Sequence, residues 1–169
     1  MTLLISPKAQ VSGNTSPSPP AAEPSIDIPR NALIYEAEDA TGKKLVDVRT
    51  RWSGYSGEGY LDFQRKGAFA EWTISVSRPG DHTVYIRYAS PTNSRYCDLL
   101  VDGTKIDEFD FPGSGWGEWN VEEIVLNLSA GEHKIRVYAA LTGGPNIDFL
   151  AVLAPKNEVD IATATMSLP

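Results

Sequence analysis

Apolar and polar residues alternate in short runs through the middle of the chain. Val84, Ile86 and Tyr88 fall on one side of an extended segment, because side chains on a strand repeat every two residues. Turn-forming residues separate these runs, and Asp102-Gly103 is a two-residue hairpin signal. No amphipathic pattern of about ten residues or more indicates a helix. The predicted strands cover residues 59–63, 68–76, 82–88, 99–103 up to the Asp-Gly turn, 104–107 after it, 121–128, 133–138 and 146–153.

This pattern predicts an all-β fold, an antiparallel β-sandwich, in one folded region over residues 31–155. Residues 1–30 hold six of the 12 prolines and no aromatic residue, which is typical of a Pro/Ser-rich linker or disordered tail. We favour a tether to a neighbouring module. Residues 156–169 are predicted to be a C-terminal linker.

The net charge and the lengths of the apolar runs limit the partners and the location that we expect for this protein. A net charge of −7 over 169 residues argues against nucleic acid and against an anionic membrane surface. No apolar run approaches the roughly 20 residues of a membrane span. The first residues also lack the apolar stretch of about 7–15 residues of a secretory signal, so we expect a signal lost upstream or a piece of a longer chain.

The sequence contains few features that would indicate an enzyme active site. Cys97 is the single cysteine, so it cannot form an intramolecular disulfide and is predicted to be a small buried apolar residue. His82 and His133 lie in alternating strand patterns and are expected on solvent faces. No nucleophile, zinc or phosphate-binding motif occurs, and no carboxylate pair is marked as a glycosidase site. We therefore expect a protein that is not an enzyme.

Three carboxylates form a candidate metal site. Glu36 and Glu38 would share one face of the first strand, and Asp148 lies in the last strand, which is often its neighbour in a sandwich. Carboxylates this close repel unless a cation or a hydrogen-bond donor compensates them. Oxygen ligands of this kind suit Ca²⁺. The alternative is a pair of solvated glutamates on an exposed strand.

Aromatic residues in glycine-rich segments are candidates for ligand contact. Tyr55 and Trp116 have Ser and Gly as neighbours, whereas core aromatics are normally flanked by apolar residues in strands. An exposed flat ring can stack on the apolar face of a sugar. Trp119, beside a strand, is predicted to cover the end of the core, and Trp72, in mid-strand, to be part of it.

The order of motifs in the chain resembles family 35 carbohydrate-binding modules, over about residues 33–154; family 6 modules are similar. The motifs are Tyr35–Glu38, Tyr55–Tyr60, Pro79–Tyr88, Val101–Gly103, Trp116–Trp119, Leu128–Arg136 and Asn146–Leu150. The resemblance implies a β-jelly-roll sandwich, appended to a secreted polysaccharide-active enzyme. It also implies a structural Ca²⁺ held by Glu36, Glu38 and Asp148.

The resemblance further implies a ligand site in the loops at one end. The matching positions are Tyr55, Arg95, Trp116 and Asn146, with the two rings lining the pocket and Arg95 and Asn146 bonding sugar oxygens or a carboxylate. Some members hold a second calcium at that site, for which Glu58 is the candidate here.

We therefore expect a secreted, monomeric, non-catalytic module that binds a polysaccharide and targets a covalently linked catalytic domain to it. The glycan would be of plant-wall type, either containing uronic acid or of the mannan or galactan type. The alternative is a structural or interaction sandwich that stabilises a neighbouring catalytic domain without binding sugar.

Overall fold

The computed structural model describes residues 27–155, which form eleven strands and no helix in that range. The predicted linkers at 1–30 and 156–169 lie almost wholly outside the described residues. The strands are β1 Leu33–Glu36, β2 Gly42–Lys44, β3 Val46–Arg49, β4 Tyr60–Phe63, β5 Phe69–Val76, β6 Gly80–Ala89, β7 Arg95–Val101, β8 Thr104–Phe111, β9 Asn120–Leu128, β10 Gly131–Tyr138 and β11 Asn146–Leu153. Among the described residues there is no helix of the length and apolarity needed to cross a membrane.

The strands form two antiparallel sheets, which confirms the predicted sandwich. One sheet has the order β3-β4-β11-β6-β9, with β1 also paired to β11, and the other has the order β2-β5-β10-β7-β8. The first and last strands are neighbours, as expected, with Glu36 opposite Phe149. Asp102 and Gly103 both have positive φ, which fits the predicted two-residue hairpin turn between β7 and β8.

The core lies between the sheets and takes one face of nearly every strand. Val84, Ile86 and Tyr88 all point into it, as their spacing predicts, and Cys97 and Trp72 are buried there. The Trp72 indole Nε1 donates to the Glu36 carbonyl at 3.1 Å, so this buried polar atom is satisfied. His82 was expected on a solvent face, but it is only 2% exposed, and its Nδ1 lies 3.0 Å from the Gly80 carbonyl.

A β-bulge in β11 decides where the polar residues of that strand point. Against β6, Ile147 pairs with Tyr88 and Phe149 with Arg87, which leaves Asp148 as the extra residue. The outer neighbour of β11 also changes here, from β4 at Asn146 and Ile147 to β1 from Phe149 onward. A bulge re-aims side chains, and this one places Asp148 at the gap between β4 and β1.

Candidate functional site

A cleft of about 440 Å³ opens on the outer side of the larger sheet, where β3, β4 and β11 meet two loops. Its floor comes from the strands and its walls from loops 50–59 and 112–119. We call it the cleft, lined by Arg49, Arg51, Trp52, Tyr60, Asp62, Trp116 and Asn146. A concave site of this size with a few polar groups is typical of small-molecule binding.

Strand register builds the floor. Tyr60 and Asp62 are two residues apart on β4 and share a face. Asp62 pairs with Asn146, and Tyr60 pairs with Arg49. Burial raises the pKa of the Asp62 carboxyl, and the Arg49 guanidinium, whose Nε is 3.8 Å from Asp62 Oδ2, opposes that rise. The floor therefore presents a carboxylate, an amide and a phenol ring side by side.

Two tryptophans from separate loops form the walls, and each has an arginine over it. The Arg51 guanidinium carbon is 4.9 Å from the Trp52 ring centre, and that of Arg95 is 6.0 Å from the Trp116 ring centre. Both rings are half-buried. No ion pair within residues 27–155 involves Arg51 or Arg95. Arg51 in the cleft lining and Arg95, which lies against the lining residue Trp116, are therefore two guanidinium groups without a carboxylate partner beside flat apolar surfaces.

The loop bearing Trp116 is locked against the loop before β7. Gly115 N donates to the Ser90 carbonyl at 2.9 Å, and a side chain at Gly113 would overlap the backbone of Pro91. This close approach explains why residue 113, three positions before Trp116, is glycine. It also brings Arg95, at the start of β7, next to Trp116.

Two of the four predicted ligand residues line the cleft, and two do not. Trp116 and Asn146 line it, although Asn146 is only 3% exposed. Arg95 lies over Trp116, and its Nε is buried without a hydrogen-bond partner. Tyr55 is outside the lining and packs against Tyr60, with ring centres 5.9 Å apart.

Sequence reasoning missed five lining residues: Arg49, Arg51, Trp52, Tyr60 and Asp62. Trp52 and Tyr60 flank the same glycine-rich loop that drew attention to Tyr55, so that loop was the available signal. Arg49 and Asp62 became visible only through the pairing of β3 with β4.

The three predicted metal ligands converge beside the cleft, around loop 50–59. Ser56 Oγ is 2.7 Å from Glu36 Oε2 and 3.5 Å from Asp148 Oδ2, and the Glu58 backbone N–H donates to Glu38 Oε1 at 2.5 Å. Glu38 lies in the turn after β1, not in the strand as expected. We call Glu36, Glu38 and Asp148 the carboxylate trio.

Charge in the trio is only partly compensated. Burial raises the pKa of Glu36, and repulsion from Glu38 and Asp148 adds to the rise, against the Ser56 hydrogen bond. Burial likewise raises the pKa of Asp148, while the Ser56 N–H, at 2.9 Å, and the Arg87 guanidinium lower it. Sequence reasoning did not identify Arg87, whose Nη1 forms an ion pair with Asp148.

The donor set of the trio fits a hard cation. Glu38 Oε2 is buried with no hydrogen-bond partner, and all three side chains offer the oxygen atoms that Ca²⁺ prefers. In the described part of the chain, no three His, Cys, Asp or Glu side chains are already arranged as a metal cage. Backbone oxygens and some side-chain movement would therefore have to complete the coordination.

A Ser–His–Asp arrangement lies at the far end of β7 and is not a catalytic triad. His133 Nδ1 is 2.7 Å from Asp102 Oδ2, and His133 Nε2 is 3.2 Å from Ser129 Oγ. The same Nε2 is 3.0 Å from the Ser129 carbonyl oxygen. Hydrogen bonds that the two ring nitrogens donate to the Asp102 carboxylate and to the Ser129 carbonyl raise the pKa of His133. The carbonyl oxygen can only accept, so Nε2 donates to it and is not available to take the proton of a serine nucleophile.

Comparison with known proteins gives a consistent result. A family model described as carbohydrate binding module (family 35) matches residues 33–154. The chain is 34% identical over 148 residues to an exo-β-D-glucosaminidase of Amycolatopsis orientalis, covering 84% of this chain and 14% of that protein. It is 31% identical over 129 residues to a cycloisomaltooligosaccharide glucanotransferase of Niallia circulans, covering 74% and 13%. The chain thus spans a small part of these relatives.

Solved structures agree on the fold. A family 35 module from Clostridium thermocellum superposes with a TM-score of 0.70 at 33% identity, covering 73% of this chain and 98% of that one. One from Paenibacillus barcinonensis gives 0.69 at 32%, covering 73% and 99%. A third, in complex with a glucuronic acid containing disaccharide, gives 0.64 at 26%, covering 74% and 95%.

Proposed function

Because the chain belongs to family 35 of the carbohydrate-binding modules, which are non-catalytic domains of glycan-active enzymes, we propose that its cleft binds a glycan bearing an acidic sugar. The observation that carries this proposal is the pair of guanidinium groups, Arg51 and Arg95, held over tryptophan rings without carboxylate partners. A sugar carboxylate can form a bidentate, charge-assisted pair with such a group.

The remaining groups of the cleft suit the sugar ring itself. Trp52 and Trp116 offer apolar faces for the C–H side of a pyranose. Asn146 and Asp62 supply an amide and a carboxylate for its hydroxyls. The neighbour solved with a glucuronic acid containing disaccharide shares the fold and supports this choice of sugar class.

We also propose that the carboxylate trio holds a structural Ca²⁺. Glu36, Glu38 and Asp148 would supply side-chain oxygens, and the ion would supply the positive charge that their mutual repulsion calls for. The proposal includes no second ion at the cleft, because Asp62 is the single carboxylate of its lining and faces Arg49.

At the level of the whole protein, we propose that the module targets a covalently linked catalytic domain to its polysaccharide outside the cell, and that it acts as a monomer. The relatives named above support the covalent link to a catalytic domain, since they are enzymes of which a module of this length is a small part. The competing hypothesis is a sandwich that stabilises its neighbour without binding sugar.

Isothermal titration of residues 27–155 tests the sugar assignment. We expect binding to a glucuronic-acid-containing xylo-oligosaccharide and much weaker binding to the neutral xylo-oligosaccharide of equal length. Arg51→Gln should weaken only the first by about tenfold or more, as the loss of one charge-assisted bond implies. Lys66→Gln, at an exposed residue outside the cleft lining, is the control. Equal affinity for both sugars would overturn the acidic-sugar assignment, and no affinity for either, or for mannan, galactan and chitosan, would favour the competing hypothesis.

A further inference from the structure

A continuous set of contacts runs from the carboxylate trio to the cleft, and Arg87 of β6 lies in the middle of it. Its Nη1 forms an ion pair with Asp148, which is fully buried, and donates to the Gly54 carbonyl at 2.9 Å. Its guanidinium carbon also lies 5.3 Å from the centre of the Trp119 ring. One side chain therefore contacts the trio, the backbone of loop 50–59 and an aromatic residue of the other loop.

Trp119 forms the next link. Its indole Nε1 donates to the Ser53 carbonyl at 2.8 Å, and its ring meets the edge of Tyr60 with centres 5.4 Å apart. Gly54 has a φ of +91°, and a Cβ there would come within 3.1 Å of Trp119 Cδ1. The loop backbone at residues 53 and 54 is therefore held between Arg87 and Trp119.

Residues 53–54 immediately follow two residues of the cleft lining and precede a third. Arg51 and Trp52 come directly before Ser53, and Tyr60 begins β4 directly after the same loop. The far side of the loop is attached to the trio, since Ser56 N donates to Asp148 Oδ1 at 2.9 Å. Displacement of residues 53–54 would move Trp52 relative to Trp116.

We propose that Arg87 is a positioning residue for sugar binding, which fixes loop 50–59 and Trp119 against the trio so that Trp52 and Tyr60 hold their places in the cleft. This inference rests on the proposed sugar-binding function of that cleft. Arg87 is not in the cleft lining, so it acts through the residues that are.

The arrangement depends on arginine and not on positive charge alone. A planar guanidinium offers several N–H groups in fixed directions and a flat face for an aromatic ring, whereas a lysine ammonium is a compact charge. Lysine at this position can still compensate Asp148. It cannot at the same time bond the Gly54 carbonyl and cover Trp119.

The test compares Arg87→Lys with Arg136→Lys in the full chain. Arg136 is a matched control, because it pairs with the nearly buried Glu71 at 2.6 Å and lies 4.2 Å from the Phe69 ring, on the sheet that does not carry the cleft. The measurements are the melting temperature, the Kd for the glucuronic-acid-containing xylo-oligosaccharide, and the indole N–H signals of the four tryptophans in ¹H–¹⁵N NMR spectra without sugar.

We expect Arg87→Lys to shift the indole signals of both Trp119 and Trp52 and to weaken sugar binding by about tenfold, the affinity equivalent of one hydrogen bond. Arg136→Lys should lower the melting temperature by a similar amount and leave Kd and those signals unchanged. An unmoved Trp52 signal, or a Kd equal to that of Arg136→Lys, would overturn the inference. If the parent binds no acidic sugar, the proposed function fails separately, and the Trp52 signal alone decides whether Arg87 positions the loop.

If Arg87→Lys does not fold, Trp119→Phe tests the same link. This variant keeps a ring against Tyr60 and the Arg87–Asp148 pair but lacks the N–H that bonds Ser53. It should weaken binding and shift the Trp52 signal, and unchanged values of both would overturn the inference.

Discussion

At the scale of single residues, Trp116 and Trp72 differ in burial, and therefore in what the truncation of each would change. Trp116 is half-buried in a glycine-flanked loop with Arg95 over its ring, whereas Trp72 is 2% exposed between the sheets. Truncation of Trp72 would leave a cavity, while truncation of Trp116 would open a loop that already borders solvent.

We expect Trp116→Ala to weaken sugar binding by about 30-fold, since truncating a binding hot spot costs about 2 kcal/mol. Its free energy of unfolding should change far less than that of Trp72→Ala, which should lose about 3–5 kcal/mol. Titration calorimetry and urea unfolding measure the two effects. A Trp116→Ala variant that binds sugar as well as the parent would place the site elsewhere.

The sequence allowed some site residues to be predicted and not others, for a physical reason. Trp116 stands out because its neighbours are glycines, and Asn146 through its family motif. Asp62 lies in an ordinary apolar strand, and its orientation toward the cleft depends on pairing with Asn146 across β4 and β11. Long-range register of this kind is not written in any local pattern.

At the scale of elements, the long central strands could be predicted and the short edge strands could not. β10 alternates exposed and buried residues, and β11 is an apolar run that is buried on both faces, so each has a clear strand pattern. β2 and β3 have three and four residues at the sheet edges. The bulge at Asp148 could not be predicted from the alternation either. After Asp148, the residues of β11 that face outward are the opposite set from those that an unbroken alternation would give.

The connections at the end of the sandwich remote from the cleft should make stability depend on pH. His133, near the start of β10, bonds Asp102 of the β7–β8 turn, and this hydrogen bond raises the pKa of the imidazole above its ordinary value. A group whose pKa is raised by folding stabilises the folded state fully below its unfolded pKa, and this stability is lost as the pH rises through the folded value.

We therefore expect the stability difference between the parent and His133→Gln to shrink as the pH rises above about 6.5. The effect should be about 1 kcal/mol or less, because Asp102 is half exposed. Thermal unfolding from pH 5.5 to 9 measures it, and Asp102→Asn should remove the pH dependence. A difference that is constant over this range would show that the imidazole charge contributes nothing.

At the scale of the whole molecule, the carboxylate trio joins the first strand, the last strand and loop 50–59. These segments are far apart in the chain, so a cation bound there would favour the closed sandwich over the unfolded chain. At a free Ca²⁺ concentration 100 times Kd, the stabilisation would be about 2.7 kcal/mol, or a rise in melting temperature on the order of 10 °C for a domain of this size.

Glu38→Gln separates the calcium hypothesis from its alternative by the sign of its effect. If the trio binds Ca²⁺, the parent should melt at a lower temperature in EDTA, and Glu38→Gln should melt near that lower temperature with or without calcium. If no cation binds, the substitution removes a charge that repels Glu36 and Asp148, so the melting temperature should rise or stay constant.

Glu38 is a cleaner position than Asp148, because removal of Asp148 would also leave Arg87 without its partner. Glu132→Gln, on the exposed start of β10, is the control for loss of one negative charge. Metal analysis of the purified protein completes the test, and an unchanged melting curve in EDTA with no bound calcium would leave the trio compensated by Arg87 and Ser56 alone.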